Sequence, residues 1–87
     1  MPSPNGDGIN EFLMVEGIGD YPENRLTIVN RNGTLIWEAG GYDNSRVAFR
    51  GRLTGGHNAP AGTYFYILEV KVYGRWKHEK GYFVLRY

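Results

Sequence analysis

Apolar and polar positions alternate along much of this chain, and the alternation is longest in its last third. Residues 60–73 and 76–87 are two runs rich in β-branched and aromatic side chains, joined by Gly74-Arg75. That arrangement reads as a β-hairpin with a two-residue type II′ turn. In this register Tyr73 faces Trp76, Lys71 faces His78, and Glu69 faces Lys80 as a charge pair across the strands. Tyr66 then faces Phe83 and Tyr64 faces Leu85, so Tyr64, Tyr66, Leu68, Phe83 and Leu85 share one face, read here as the core face. Phe65, Ile67, Tyr82 and Val84 make the opposite face apolar too. A one-residue bulge would exchange the two faces, and the outward one needs a cover or a partner.

Earlier in the chain, Asn32-Gly33 between residues 25–31 and 34–39 predicts a second hairpin with a type I′ turn. It sets Ile28 against Trp37 and Asn30 against Leu35, and puts Leu26, Ile28, Leu35 and Trp37 on one apolar face. Residues 12–16 read as a short strand, 17–24 as a loop, 46–52 as a strand through Val47 and Phe49, and 53–61 as a loop. Strands at turn spacings of about 8 to 12 residues, with no helical stretch, predict an all-β fold: an immunoglobulin-like antiparallel β-sandwich of about six or seven strands. Tyr64 is placed to form a tyrosine corner if its hydroxyl finds a backbone acceptor in the preceding loop.

The length, 87 residues, allows one small domain and one core. Its 13 glycines are dispersed between the apolar runs, as turn punctuation rather than a repeat. Cysteine is absent, which excludes a disulfide framework and thiolate metal sites but leaves the compartment open. A formal net charge of +1 without any long run of like charge gives no reason to expect nucleic acid as a partner. No apolar stretch approaches about 18 residues and no signal peptide is visible, so the chain is expected neither to insert in a membrane nor to carry its own N-terminal export signal. No nucleophile elbow, zincin motif, P-loop or cysteine nucleophile is present, and His57 and His78 have no carboxylate at ligand spacing; an enzyme is not expected.

Residues 1–11 are rich in Asx, glycine and proline and read as a loop ahead of the sandwich proper at 12–87. Asn5 and Asp7 match the first and third ligand positions of a calcium loop, with Asn10 and Glu11 as further oxygen donors, although Ile9 stands at the fifth position and no helix follows. Because the ligand set is incomplete, the preferred reading of the same residues is Asx-turns, with Gly6 and Gly8 supplying positive φ. A calcium-dependent adhesive or carbohydrate-binding sandwich is therefore the alternative function.

Several stretches together resemble a known family. These are Pro4-Asn5-Gly6-Asp7-Gly8-Ile9-Asn10-Glu11-Phe12; Gly17-Ile18 with Tyr21-Pro22, Asn24, Leu26, Ile28, Asn30-Arg31 and Gly33; Pro60-Ala61-Gly62-Thr63-Tyr64-Phe65-Tyr66; and Gly81 to Arg86. In this order they are similar to the gliding-motility-associated C-terminal domain, the type B sorting domain of the Bacteroidetes type IX secretion system, over nearly the whole chain. Two positions depart from the pattern: Asn32 stands where the family commonly has an aromatic residue. After the Tyr42-Asp43-Asn44 element, Phe49-Arg50-Gly51 carries Arg50 in place of an acid.

The resemblance implies a single C-terminal sorting domain, residues 1–87, of a larger exported protein. It would be read as a folded surface by the type IX translocon or a PorP/SprF-like outer-membrane protein, and delivered through the periplasm and outer membrane to the medium or the cell surface. Met1 would then be an added start on an excised domain. The expected partner-binding segment is the terminal strand, Tyr82, Phe83, Val84, Leu85 and Arg86, offering a sheet edge for main-chain pairing. The competing expectation is that this strand is covered core.

Overall fold

The longest alternating run, in the last third of the chain, is paired with a neighbouring strand on each edge and turns one face to the core, as strands of a sheet covered on one side do. The computed structural model describes residues 3–4, 12–53 and 56–86. Its strands are β1 (Ser3–Pro4), β2 (Val15–Glu16), β3 (Asn24–Val29), β4 (Leu35–Gly40), β5 (Gly62–Val72) and β6 (Arg75–Leu85), with one short 3-10 turn at Ile18–Asp20. Four of them form an antiparallel sheet in the order β4-β3-β5-β6, and β1 pairs with β2 in a second layer. The chain is an all-β, immunoglobulin-like antiparallel sandwich, with six strands among the described residues. Its second layer is built mostly from irregular segments.

Inward-facing residues follow the period of two. Leu26 and Ile28 of β3, Tyr64, Tyr66, Leu68 and Val70 of β5, and Phe83 and Leu85 of β6 are all buried. Leu13, Val15, Ile18, Tyr42, Phe49 and Ala59 cover them from the second layer. Each large apolar side chain so enclosed contributes about 1.5–3 kcal/mol relative to exposure. The Tyr64 hydroxyl donates to the Pro60 carbonyl at 2.6 Å, which is the tyrosine corner its position anticipates.

The turn of the long hairpin lies one residue earlier than its composition suggested. Tyr73 and Gly74 occupy the two central positions with φ of 49° and 76°, so the turn is type I′ rather than II′. Val72 pairs with Arg75, Glu69 with His78, Tyr66 with Gly81 and Tyr64 with Phe83. The expected Glu69–Lys80 pair does not form, since Lys80 stands opposite Ile67. Moving the turn by one residue slips the register by two, and a two-residue slip keeps every side chain on its own face. The core face is therefore the expected one. Gly81 has a specific role in this register: a Cβ there would lie 2.6 Å from Tyr66 Cζ, so the tyrosine ring occupies the space a side chain would need.

The Asn-Gly hairpin differs more consequentially. Gly33 donates to the Asn30 carbonyl at 3.0 Å and Asn30 to Thr34 at 3.0 Å, and only Gly33 is left-handed, at φ 82°. This is a three-residue loop of a type I turn followed by a left-handed glycine. The Asn30 side chain takes part by accepting from the N–H groups of Asn32 and Thr34. Val29 consequently faces Leu35, and the register shifts at this point so that Ile28 still faces Trp37. The extra residue is Ile36, which packs on the core with Trp37, whereas Leu35 is turned outward and exposed. A single inserted residue moved Leu35 off the face predicted for it.

Residues 46–52 do not form a strand. Asp43 folds this segment back on itself instead, its Oδ1 accepting from Ser45 at 2.8 Å and Val47 at 2.9 Å. These bonds hold its carboxyl below the usual carboxylate range, Val47 contributing most. The apolar alternation was sound, because Phe49 is fully buried and Val47 packs against the core. The missing element is only the ladder.

Candidate docking face

The outward face of the sheet falls into two halves. Toward β4, Arg25 and Glu38 pair at 3.0 Å, and Glu69 lies opposite Arg25 in the register. Toward the other end the face is apolar. Val29, Phe65 and Tyr82 stand in one cross-strand row, and Thr27, Ile67 and Lys80 in the next. Phe65 is 43% and Tyr82 61% exposed, with ring centroids 6.5 Å apart. Together with Val29, Ile67, Lys80 and Gly81 they line an open cavity of about 340 Å³. Lys80 is the one charged residue on it.

β6 is also an edge strand: among the described residues it pairs only with β5. The terminal segment expected to bind a partner is therefore divided by the pleat. Tyr82 is exposed and Val84 half-buried on the outer face, and Arg86 is exposed beyond the strand end. Phe83 and Leu85 are core residues, at 0% and 1% exposure, and the Phe83 ring stands 6.0 Å from both Phe49 and Tyr64. Their side chains are unavailable to a partner while the domain is folded. The candidate calcium residues Asn5, Asp7, Asn10 and Glu11 lie outside the described residues. Among the described residues no group of three or more His, Cys, Asp or Glu is placed to hold a metal ion.

Three polar residues matter structurally; the sequence placed them in the family pattern but gave them no role. Asn24 is buried, accepts from the Tyr42 N–H at 2.7 Å, and donates to the carbonyls of Tyr21 at 2.7 Å and Tyr42 at 3.2 Å. Tyr42 is buried with its hydroxyl donating to Leu13 at 2.5 Å and accepting from the Phe49 N–H at 2.9 Å. Burial pushes its pKa up to about 12, partly opposed by the Phe49 bond. Asn44, at φ 65°, accepts from Val15 N–H and donates to Val15 C=O, both at 2.8 Å, and so pairs with that residue as a neighbouring strand would. One signal was present: Asn24 falls in phase with Leu26 and Ile28, and a polar residue at an inward position must bring its own partners.

Residue Arg50 reaches the carbonyls of Ser45 at 2.8 Å and Ala48 at 3.4 Å, and lies 6.0 Å from the Phe12 ring. It serves its own loop. Asn32 lines a second open groove, of about 320 Å³, with Ile36, Leu53, Pro60 and Thr63.

The family model of the CHU_C type IX secretion signal domain matches residues 1–85. The chain belongs to that family. No curated protein matches it. Among solved structures, CopC from Methylosinus trichosporium OB3b is similar in fold, with a TM-score of 0.59 at 14% identity over 98% of this chain and 93% of that one. That likeness concerns architecture alone. Four residues of the pattern by which this signal domain resembles the family serve as scaffold: Asn24, Tyr42 and Asn44 bind backbone of the second layer, and Tyr64 closes the corner before β5.

Proposed function

We propose that this type IX secretion signal domain is recognised as a folded unit at the C-terminal end of a larger protein, and that it directs that protein to the cell surface for attachment. Membership of the family over residues 1–85 carries the coarser statement, that the chain is a secretion signal domain which engages the type IX machinery and is exported to the surface or beyond. Among the described residues no helix is long and apolar enough to cross a membrane. The finer reading is supported by the way the domain divides its apolar residues. One face of the sheet closes a core, and the other offers Phe65, Ile67 and Tyr82 beside an edge that no strand pairs among the described residues.

On this reading the domain is an address rather than an enzyme, and a PorP/SprF-like outer-membrane protein is its partner. The test is a fluorescent reporter with a periplasmic signal at its front and residues 1–87 at its end, expressed in a cell with an intact type IX system. Fluorescence at the surface or in the medium that disappears in a translocon-deficient strain is expected. Equal release without the translocon would overturn the proposal. A Phe83→Asp reporter, unfolded but otherwise intact, separates folded recognition from linear recognition: continued export would mean that the fold is not what is read.

A further inference from the structure

We infer that the open edge of β6 takes up an extended, acidic and apolar strand of the partner protein, paired through the main chain of Lys80, Tyr82 and Val84. This rests on the export reading above and names the chemistry of its partner. A two-residue hairpin turn is closed by a hydrogen-bonded pair, here Val72 and Arg75, and the pairs alternate from there. Lys80, Tyr82 and Val84 accordingly stand at non-hydrogen-bonded pairs with β5, so their N–H and C=O groups point to the open edge. The same three residues carry their side chains on the outer face. A strand added at this edge would place alternate side chains beside Lys80, Tyr82 and Val84 and extend the apolar surface of Phe65 and Ile67.

Charge selects the occupant. β6 bears Arg75, Lys77 and Lys80 against the single carboxylate Glu79, and Lys80 has no ion-pair partner among the described residues. Basic residues guard the first half of this edge against other strands, while Gly81 to Leu85 carries no charge at all. The strand that fits has an acid beside Lys80 and apolar residues beside Tyr82 and Val84. On the inner side of the edge, Glu79 Oε2 is shielded from solvent and accepts no hydrogen bond, so a donor side chain there would satisfy it. A second copy of this chain meets these conditions poorly. Two β6 strands related about Tyr82 would set each Lys80 against Val84 and bring His78 beside Arg86, with no acid for either lysine.

The experiment uses the isotopically labelled 87-residue domain and a nine-residue synthetic peptide in which glutamate, phenylalanine and valine occupy alternate positions with serine between them. Saturable NMR shifts confined to residues 65–67 and 80–84 are expected, lost when lysine replaces glutamate in the peptide. Lys80→Glu removes a charge-assisted contact, and Val84→Pro removes an edge donor while sparing the β5 ladder; each should weaken binding about tenfold with folding retained. Absence of saturable shifts, or unchanged binding by both variants, overturns the inference. So does a concentration-dependent dimer that Val84→Pro abolishes, because the occupant would then be a second copy. Failure of the peptide while the wild-type reporter is exported removes the edge and leaves the export role. Failure of the reporter removes the export role, and the peptide still decides the edge.

Discussion

On the inner face of the long hairpin, Tyr64, Tyr66, Leu68, Phe83 and Leu85 are enclosed by the second layer; one residue along the same strands, Phe65, Ile67, Tyr82 and Val84 are left at or near the surface. The two sets are similar in volume and hydrophobicity, so composition does not separate them. The separation comes from what lies opposite. Leu13, Val15, Tyr42 and Phe49 are brought over one face by backbone bonds from Asn24, Tyr42 and Asn44, whereas the other face receives no such layer among the described residues. An apolar face maintained without a cover, next to an edge strand, is the usual mark of an interaction surface.

The comparison is broken most directly by placing a charge on each face in turn. Phe83→Asp buries a carboxylate without a partner and is expected to abolish the cooperative thermal transition, while Tyr82→Asp should leave it in place. A folded Phe83→Asp protein would mean that the inner face is not the core. Next in size, Tyr42→Phe leaves the Leu13 carbonyl and the Phe49 N–H unmatched, and should cost roughly 2 to 3 kcal/mol in urea unfolding.

The same hydroxyl has a pH signature. Its folded pKa of about 12 lies above the unfolded value near 10, so the folded state holds its proton longer. The stabilisation is complete below pH of about 10 and is lost as pH rises toward about 12, reaching roughly 2 to 3 kcal/mol. Denaturant curves at alkaline pH should show that decline in the wild type and a flatter profile in Tyr42→Phe; parallel profiles would remove Tyr42 as its source.

A smaller effect is expected at the contact between the strands. Gly81→Ala pushes a methyl into the Tyr66 ring and should destabilise by about 1 to 3 kcal/mol, with much of the loss recovered in a Tyr66→Ala background. Additive losses would show that the ring and the glycine are independent. Smallest of all, Phe65→Ser and Tyr82→Ser should change stability by no more than about 0.5–1 kcal/mol, yet both should elute earlier from a hydrophobic-interaction column. A large loss of stability from either would mean that the outer face is structurally covered.

The two hairpins show how far local sequence reaches. In the long hairpin the turn was misplaced by one residue, but the resulting slip of two left Tyr64, Tyr66, Leu68, Phe83 and Leu85 on the predicted face. In the Asn-Gly hairpin, the apparently clearer signal, one extra residue at Ile36 sent Leu35 to the wrong side. An even error is silent and an odd one reverses a side chain. The division of the terminal strand into core and surface residues followed from the same alternation, since Phe83 and Leu85 are in phase with one another and out of phase with Tyr82 and Val84.

Period-two patterning was enough to determine the all-β class and which residues of β3, β5 and β6 share a face, and short-range spacing placed the corner at Tyr64, because these depend on neighbours a few residues apart. The open edge, the unclosed outer face and the service of Asn24, Tyr42 and Asn44 to distant backbone were decided only in three dimensions. A side chain's partner 18 or 29 residues away leaves no periodic trace in the chain, and whether an apolar face is covered depends on where the irregular segments fold.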